Sequence, residues 1–202
     1  MDLRVTIVRH GNTFDEGAPP RRIGARTDLP LVASGRSQAA ALGAAFATAG
    51  RVFTRALTAP LSRSRETMGA ILAAQPQSPA IEIADWLTEI DHGPDEGQLE
   101  RDVVARIGTH ALAEWDTRGC APEGWIVDAA RRIAAWRDLW VFASGDVLIV
   151  TSNGAARFAV LSDPALQQQA ELLPALKLRT GAYGVIAREH GQLRLVDWDR
   201  RR

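Results

Sequence analysis

The sequence contains one cysteine, one lysine and no long apolar segment. The single cysteine, Cys120, excludes an intrachain disulfide and argues against a cysteine-based metal site. No apolar stretch approaches the roughly 20 residues that a membrane-spanning helix needs. The first residues follow a strand pattern and lack the apolar segment of a signal peptide. We therefore expect a soluble, cytoplasmic protein.

The chain also lacks an excess of charge of either sign. Lys and Arg together number 24, Asp and Glu together number 24, and the formal net charge is +0 at pH 7. This balance excludes the bulk positive field that draws proteins to nucleic acid or to an anionic membrane surface. The 202 residues are 46% hydrophobic and show no repeat or break in composition. Residues 1–202 are therefore expected to form a single domain.

Apolar segments alternate with helix-like segments along most of the chain. Strands are predicted at residues 3–8, 52–57, 80–83 and 146–151, and helices at 35–49, 61–73, 99–116, 126–142 and 154–161. A hairpin is predicted from residues 183–187 and 193–196. Strands that alternate with helices are typical of one sheet covered on both faces. We therefore expect an α/β fold, a three-layer α/β/α sandwich around a mostly parallel mixed sheet.

The first predicted strand runs directly into Arg9-His10-Gly11. Open α/β sheets bind ligands at the carboxyl ends of their strands, so these residues are expected at a site. A neutral imidazole such as His10 can act as a nucleophile, and a guanidinium such as Arg9 can hold a phosphoryl group. Gly11 removes a side chain where a phosphate would approach backbone N–H groups. Taken alone, the tripeptide is equally compatible with an ordinary, partly buried histidine beside a surface charge.

A second candidate segment, residues 59–67, follows a predicted strand and opens a helix. A helix N-terminus offers unpaired N–H groups and the positive end of a dipole. Arg63 lies in the first turn, where it could point at the same anion as Arg9. Ser62 or Ser64 could assist the same turn by capping. The alternative is a solvated helix face on which Arg63 contacts no ligand.

A third candidate segment, residues 87–93, follows the next predicted strand. A carboxyl group held near a phosphate ester can protonate the leaving oxygen and later deprotonate water. Four acidic residues of this region have that chemistry: Glu89, Asp91, Asp95 and Glu96. Only Glu89 lies between close apolar neighbours, Leu87 and Ile90, which are expected to raise its pKa.

Together these segments resemble the histidine phosphatase superfamily, which includes the cofactor-dependent phosphoglycerate mutases. The family's Arg-His-Gly-x-Thr opening matches residues 9–13, its Asp-x-Pro-Leu segment residues 28–31, and its Gly-x-x-Gln-Ala segment residues 35–39. Its Ser-Pro-Leu-x-Arg-Ala-x-Gln-Thr segment corresponds to residues 59–67, and its Leu-x-Glu-x-x-x-Gly segment to residues 87–93. Several matches in the family's order, over about half of the chain, are far more specific than any one of them.

The resemblance implies a role for each matching residue. His10 would be the nucleophile that becomes a phosphohistidine. Arg9 and Arg63 would bind the phosphoryl oxygens, and Glu89 would act first as general acid and then as general base. Further contacts to the substrate are expected from Asn12, Thr13, Ser152 and Asn153. The resemblance implies no metal and no organic cofactor, and the expected partner is a small-molecule phosphate ester.

One position departs from the family pattern. The family's phosphate pocket usually holds a second histidine in a Ser-His-Gly-Gly segment, and the matching residues here are Ser152, Asn153 and Gly154. Asn153 cannot carry the positive charge of an imidazolium, although its amide can still donate a hydrogen bond. Loss of one charged donor is expected to lower the rate by a factor on the order of 10²–10³.

Among the other three histidines, only His92 could take over that role. His92 lies three residues after Glu89 in the same predicted loop. His110 falls in a predicted helix and His190 at a predicted hairpin tip, so both are expected at the surface. The hypothesis that His92 enters the pocket as a second phosphate donor therefore stays open.

Three functions are compatible with this pattern. The first is a phosphomonoesterase that works through a phosphohistidine at His10. The second is a catalytically impaired protein that binds phosphate esters, which the asparagine at position 153 suggests. The third is a mutase-type phosphotransferase, against which the absence of substrate-gripping insertions argues. Sugar phosphates, nucleotide-derived esters, phosphorylated cofactor precursors and phosphoproteins are all open as substrates.

The tryptophans and the early arginines leave further alternatives. Four of the six tryptophans lie in the late helical region: Trp115, Trp125, Trp136 and Trp140. Large aromatic side chains dominate burial, so these four are expected in the core. Exposure near residues 115–125 would instead indicate a lid or a homodimer contact. Arg21, Arg22 and Arg26 follow His10 in a loop, where they either add affinity for anions or face solvent.

Overall fold

The structure is a computed structural model that describes residues 2–201. Its strands are β1 (Leu3–Arg9), β2 (Arg55–Thr58), β3 (Ile81–Ile83), β4 (Gly145–Thr151), β5 (Tyr183–Glu189) and β6 (Gln192–Arg200). Its helices are α1 (Ala33–Thr48), α2 (Ser62–Ala73), α3 (Glu100–Arg118), α4 (Ala129–Phe142), α5 (Asn153–Leu161) and α6 (Pro164–Ala170). Two short 3₁₀ turns, Asp85–Leu87 and Gly93–Asp95, lie between β3 and α3.

The strands form one mixed sheet in the order β3-β2-β4-β1-β5-β6. The pairs β1/β4, β2/β4 and β2/β3 are parallel, whereas β1/β5 and β5/β6 are antiparallel. The central pair aligns Leu3 with Gly145 and Arg9 with Thr151, so β1 and β4 end side by side. The predicted α/β fold with a mostly parallel mixed sheet is confirmed.

Two apolar clusters cover opposite faces of the sheet. Side chains alternate along a strand, so Val5 and Ile7 of β1 face one cluster and Val8 faces the other. The first cluster contains core residues of α4 and α5, and the second contains core residues of α1 and α2. Helices therefore lie on both faces, which gives the predicted three layers.

The sequence-based boundaries differ from the structure mainly near the C-terminus. Helix α6 was not predicted, although Asp163 caps it by accepting hydrogen bonds from the N–H groups of Ala165 and Leu166 at 2.9 and 3.1 Å. Strand β6 extends well beyond the predicted residues 193–196, because it pairs with β5 along its whole length.

The four tryptophans of the late helical region are buried, as predicted. Trp115 packs edge-on against Trp125 with ring centroids 5.5 Å apart, and Trp136 stacks on Trp140 at 5.1 Å. Because Trp115 and Trp125 are 1% and 7% exposed, the alternative of an exposed lid or dimer contact at these two side chains is wrong.

Across residues 2–201, none of the helices has both the length and the apolar character that crossing a membrane requires.

Candidate active site

The candidate site lies at the carboxyl ends of the parallel strands, where α/β sheets bind ligands. The N–H group of His10, just after β1, donates to the carbonyl oxygen of Thr151 at the end of β4 at 3.0 Å. A cavity of about 340 Å³ opens there, and six of the eight predicted site residues line it: Arg9, His10, Asn12, Thr13, Glu89 and Asn153. The other two, Arg63 and Ser152, are completely buried and do not line it.

The imidazole of His10 is held in one orientation by its own loop. Its Nδ1 lies 2.8 Å from the carbonyl oxygen of Gly11. A carbonyl accepts only, so Nδ1 carries the hydrogen and Nε2 carries the lone pair. Nε2 is neither buried nor hydrogen-bonded to any residue from 2 to 201. Burial and the charges of Arg63 and Arg9 hold the pKa of His10 well below 6.5, so the ring is neutral at neutral pH.

Gly11 is required for a reason different from the predicted one. A Cβ on Gly11 would lie 2.4 Å from the carbonyl oxygen of Gly35, at the start of α1. The N–H group of Gly11 donates to Thr67 Oγ1 at 3.1 Å and is therefore occupied. The absent side chain therefore makes room for α1, and the N–H of Gly11 is engaged by Thr67.

Arg9 reaches the cavity while one end of its guanidinium is anchored. Its Nη1 donates to the carbonyl oxygen of Leu178 at 2.6 Å. Its Nε is buried and has no hydrogen-bond partner in the part of the chain that the structure describes. Burial lowers the pKa of Arg9 from its usual value, and the carboxylate of Glu89 opposes that effect. Arg9 thus retains donors for an anion in the cavity.

Arg63 lies beneath the cavity and is fully buried, so the alternative of a solvated helix face is wrong for this residue. Its Nη1 donates to the carbonyl oxygen of Thr27 at 2.7 Å, and its Nη2 to that of Gly24 at 3.0 Å. Burial lowers its pKa, while Glu89 and Asp28 raise it. Arg63 therefore supports the loop over the site and adds positive potential near His10.

The first turn of α2 is capped by a residue from the Asp-x-Pro-Leu segment. Asp28 accepts from the backbone N–H of Ser62 at 2.7 Å and from Ser62 Oγ at 2.9 Å. No side chain of the turn caps its own helix, and Ser64 Oγ is buried without a partner among the described residues. Ser62 therefore assists the first turn by binding Asp28, although it does not cap the helix itself, and Ser64 does not assist it.

Glu89 is held at the N-terminus of α5. Its Oε2 accepts from the N–H of Gly154 at 3.1 Å, and its Oε1 accepts from the N–H of Ile90 at 2.9 Å. Burial alone would raise the pKa of Glu89, but His92, these two N–H groups and Arg63 outweigh burial and lower it. The expectation of a raised pKa is therefore wrong for the empty site, because the apolar neighbours come with backbone donors.

Asn12 and Thr13 line the cavity in different ways. Both ends of the Asn12 amide are used within the protein, since Oδ1 accepts from Thr180 Oγ1 and Nδ2 donates to Ser34 Oγ at 3.3 Å. The N–H group of Asn12 donates to Gln38 Oε1 at 2.9 Å. Thr13 is partly exposed at the cavity wall. Asn12 therefore shapes the loop, and Thr13 is the more available of the two to a ligand.

Asn153, the first residue of α5, points one end of its amide into the cavity. Its Oδ1 accepts from the N–H of Leu178 at 2.8 Å, which assigns the oxygen and leaves Nδ2 as a donor. Nδ2 is not buried and bonds to no residue within 2–201. Ser152 is the residue before the helix, and its Oγ is buried without a partner among those residues. Asn153 thus offers a neutral donor to a ligand.

His92 also lines the cavity and is only 4% exposed. Its Nδ1 lies 3.6 Å from Glu96 Oε2, and its ring packs edge-on against Trp125 with centroids 4.6 Å apart. His110 and His190 are exposed, as predicted. Of the histidines outside the Arg-His-Gly segment, His92 is therefore the one at the cavity.

Several charged side chains complete the cavity wall: Arg21, Arg22, Glu100 and Lys177. Arg22 pairs with Glu100, which fixes its position. Arg26 instead pairs with Asp91 at 3.0 Å. The loop after His10 thus covers the site with two of its three arginines. No motif in the sequence indicated that Lys177 would line the cavity, because its position depends on how the segment before β5 folds back.

The family model of the histidine phosphatase superfamily, branch 1, matches residues 5–201. The chain therefore belongs to this superfamily. A comparison with curated proteins finds no match.

Solved structures with the same fold include several phosphatases. Mycobacterial glucosyl-3-phosphoglycerate phosphatase Rv2419c matches with a TM-score of 0.76 and 20% identity, over 98% of this chain and 99% of the other. Alpha-ribazole phosphatase from Shigella flexneri matches with a TM-score of 0.70 and 20% identity, over 98% and 96%. The protein described as mycobacterial hydrolase 1 matches with a TM-score of 0.79 and 20% identity, over the full length of both chains. The mycobacterial phosphatase has also been solved with VO3 and with inorganic phosphate.

Proposed function

We propose that the protein is a phosphomonoesterase that acts on a small phosphorylated metabolite through a phosphohistidine at His10. The observation that carries the proposal is the His10 ring, whose Nδ1–H is directed to the Gly11 carbonyl while Nε2 is free at the cavity. The lowered pKa keeps the Nε2 lone pair available at neutral pH. Membership of the histidine phosphatase superfamily supports the same class of reaction.

In the first step, Nε2 of His10 attacks the phosphorus and the ester P–O bond breaks. The leaving oxygen takes a proton from Glu89, and the phosphoryl group is left on Nε2. Glu89 is ionised in the empty site because its pKa is lowered. A phosphate ester that binds as the monoanion brings the proton, which passes to Glu89 because two negative charges in one cavity favour uptake of a proton by the carboxylate. Substrate binding therefore prepares the acid.

In the second step, the Glu89 carboxylate removes a proton from water. The oxygen of that water attacks the phosphorus, the N–P bond breaks and inorganic phosphate leaves. His10 regains its lone pair, and the proton on Glu89 leaves with the phosphate, so the site returns to its starting state with Glu89 ionised. One carboxyl group thus serves both steps.

Charge on the transferring phosphoryl group is balanced from several sides. Arg9 offers donors at the cavity, Arg63 adds positive potential from below, and Asn153 contributes the neutral Nδ2 donor. Fixed donors of this kind stabilise the transition state because they need no reorganisation during the reaction.

The size and lining of the cavity support a small substrate. Its volume of about 340 Å³ lies at the lower end of the range for small-molecule sites. Arg22 and the loop before it cover one side. An extended phosphoprotein segment fits such a covered site poorly, so a metabolite is the proposed substrate.

A second candidate function is the binding of phosphate esters without turnover. Both Nη groups of Arg63 are bonded to backbone carbonyls, and Asn153 lacks the charge that the family's second histidine supplies. Both features reduce the positive charge aimed at the phosphoryl group. Tight vanadate binding without hydrolysis across a broad panel of esters would favour this alternative. A mutase would instead exchange phosphate between two positions of one substrate without net release.

Hydrolysis of p-nitrophenyl phosphate between pH 5 and 8 tests the proposal. We expect turnover in the wild type and none above background in His10→Ala. His110→Ala is the matched control, because His110 is an exposed histidine that does not line the cavity. Equal activity in His10→Ala and His110→Ala would refute the proposal.

A further inference from the structure

His92 enters the cavity from the segment that carries Glu89, and its side chain is fixed on two sides. The Glu96 carboxylate faces Nδ1 at 3.6 Å, and the edge-on contact with Trp125 holds the ring plane. With 4% of its surface exposed, the residue has little freedom to turn outward. His92 is therefore a built part of the cavity wall.

Glu96 is an anchored carboxylate. Its Oε1 accepts from the N–H of Gly24 at 2.9 Å and from Thr27 Oγ1 at 2.7 Å, and its Oε2 accepts from the N–H of His92 at 3.3 Å. Burial alone would raise the pKa of Glu96, but contacts with His92, Thr27 and Gly24 lower it to about 2. Glu96 is therefore ionised at neutral pH and accepts hydrogen bonds only.

The Glu96 carboxylate faces one ring nitrogen of His92, and that nitrogen, Nδ1, is buried without a hydrogen-bond partner among the described residues. An acceptor opposite Nδ1 favours the hydrogen on Nδ1, as the partners of imidazole ligands do in other sites. Nε2 of His92 has no hydrogen bond to any residue in the 2–201 range and is not buried. Because the ring lines the cavity, Nε2 is the atom that a ligand meets.

Gly24 connects this pair to Arg63 beneath the cavity. A Cβ at Gly24 would lie 2.6 Å from His92 Nδ1 and 2.4 Å from Glu96 Oε2. The carbonyl oxygen of Gly24 accepts from Arg63 Nη2 at 3.0 Å. The segment that supports Arg63 therefore also sets the position of His92.

We propose that His92 is the second phosphate-binding imidazole of this site, supplied from the Glu89 segment instead of from the end of β4. In its protonated form, Nε2–H donates to a non-bridging oxygen of the phosphoryl group. It thereby supplies the charged donor that Asn153 cannot. No bond to His92 forms or breaks in the reaction, and Glu96 is a positioning residue. The proposal rests on the phosphomonoesterase function proposed above.

A cycle of four proteins tests the proposal: wild type, His92→Ala, Asn153→His and the double variant. Both kcat and KM for p-nitrophenyl phosphate and the Kd for vanadate are measured. We expect His92→Ala to lower kcat/KM by a factor on the order of 10²–10³ and to weaken vanadate binding. Asn153→His is expected to recover at least about tenfold of that loss in the double variant, because an imidazole returns to the cavity.

Two outcomes would overturn the proposal that His92 binds the phosphoryl group. Wild-type kcat/KM in His92→Ala overturns the proposal. So does a loss of activity that leaves vanadate affinity unchanged and that Asn153→His does not repair, because His92 is then only structural. If His92→Ala fails to fold, His92→Gln replaces it, since glutamine retains bulk and a neutral donor. If His10→Ala is inactive and the His92 variants keep wild-type activity, only the role of His92 is rejected. If His10→Ala is active, both proposals are rejected.

Discussion

Gly154 and Glu89 are in such close contact that residue 154 has no room for a side chain. The N–H of Gly154 donates to Glu89 Oε2 at 3.1 Å, and a Cβ at residue 154 would lie 2.1 Å from Glu89 Oε1. The backbone at the start of α5 therefore determines where the proposed acid can be. The positive end of the helix dipole also favours the ionised carboxylate.

Gly154→Ala is expected to displace Glu89 and to lower kcat/KM for an alkyl phosphate by at least about tenfold. A displaced general acid delivers its proton less well, and acid catalysis contributes roughly 10²–10⁴-fold. Steady-state kinetics with glycerol phosphate measures the effect.

Gly69→Ala is the matched control for that substitution. Gly69 is an exposed residue of α2, and a Cβ there would meet nothing within 4 Å. We expect unchanged kinetics and a slightly raised thermal midpoint, because alanine is the better helix former by about 1 kcal/mol. If the two alanine variants had equal activity, Gly154 would not position Glu89.

The pH profile of kcat/KM is expected to fall on the alkaline side for alkyl phosphates. Before a substrate binds, Glu89 is already ionised, so in the proposed mechanism the proton for the leaving group arrives with the substrate monoanion. Phosphate monoesters lose that proton with a pKa near about 6. Above this pKa the substrate monoanion becomes scarce, so kcat/KM falls by up to roughly tenfold per pH unit. On the acid side, the pKa of His10 lies well below 6.5, so kcat/KM begins to fall only at a pH well below 6.5.

Glu89→Gln provides the check on this interpretation. The substitution removes the proton carrier but keeps an amide of similar size. It is expected to slow an alkyl phosphate more than p-nitrophenyl phosphate, whose leaving group needs less protonation. Equal losses for the two esters would show that Glu89 does not act on the leaving group.

Lys177, the only lysine, lies exposed at the cavity wall and has no ion pair with another described residue. Lys177→Ala is expected to raise KM for anionic esters by up to about tenfold at low salt, with kcat nearly unchanged. The difference from wild type is expected to shrink at about 1 M salt, where exposed charges are screened. Arg131→Ala, which removes an exposed charge on α4, is expected to leave KM unchanged. A salt-independent effect would contradict the electrostatic explanation.

Asp28→Ala is expected to destabilise the fold by about 1 kcal/mol, because the first turn of α2 loses its acceptor at Ser62. For a chain of this size that corresponds to a fall of roughly 2–4 °C in thermal midpoint. Asp15→Ala, at an exposed loop position, is the comparison and is expected to change nothing. If both variants had the wild-type thermal midpoint, the capping role of Asp28 would be refuted.

The sequence was sufficient to predict the sheet and the position of the proposed nucleophile. A buried strand that ends in Arg9 and His10 predicts a site at the sheet edge, and the structure has a cavity at that place. Asp163 followed by Pro164 is a helix-start signal that also predicts α6, although that helix was missed.

Contacts between distant segments could not be predicted in the same way. The lowered pKa of Glu89 depends on the N–H of Gly154, which is far away in the chain. The burial of Arg63 depends on the carbonyls of Gly24 and Thr27, and the need for glycine at residue 11 depends on Gly35. The apolar neighbours Leu87 and Ile90 suggested a raised pKa for Glu89. The direction was wrong because the partners that lower this pKa come from other segments.

Detection of phosphate bound to His10 during turnover tests the proposed phosphohistidine mechanism most directly. The protein is mixed with an alkyl phosphate and quenched within one turnover in alkaline denaturant, where a phosphohistidine persists. It is then analysed by intact mass and ³¹P NMR. We expect a phosphoramidate that is lost on acid treatment, present in the wild type and in His110→Ala, and absent in His10→Ala. Sustained turnover in a protein that shows no phosphorylated histidine, or the same adduct in His10→Ala, would contradict it.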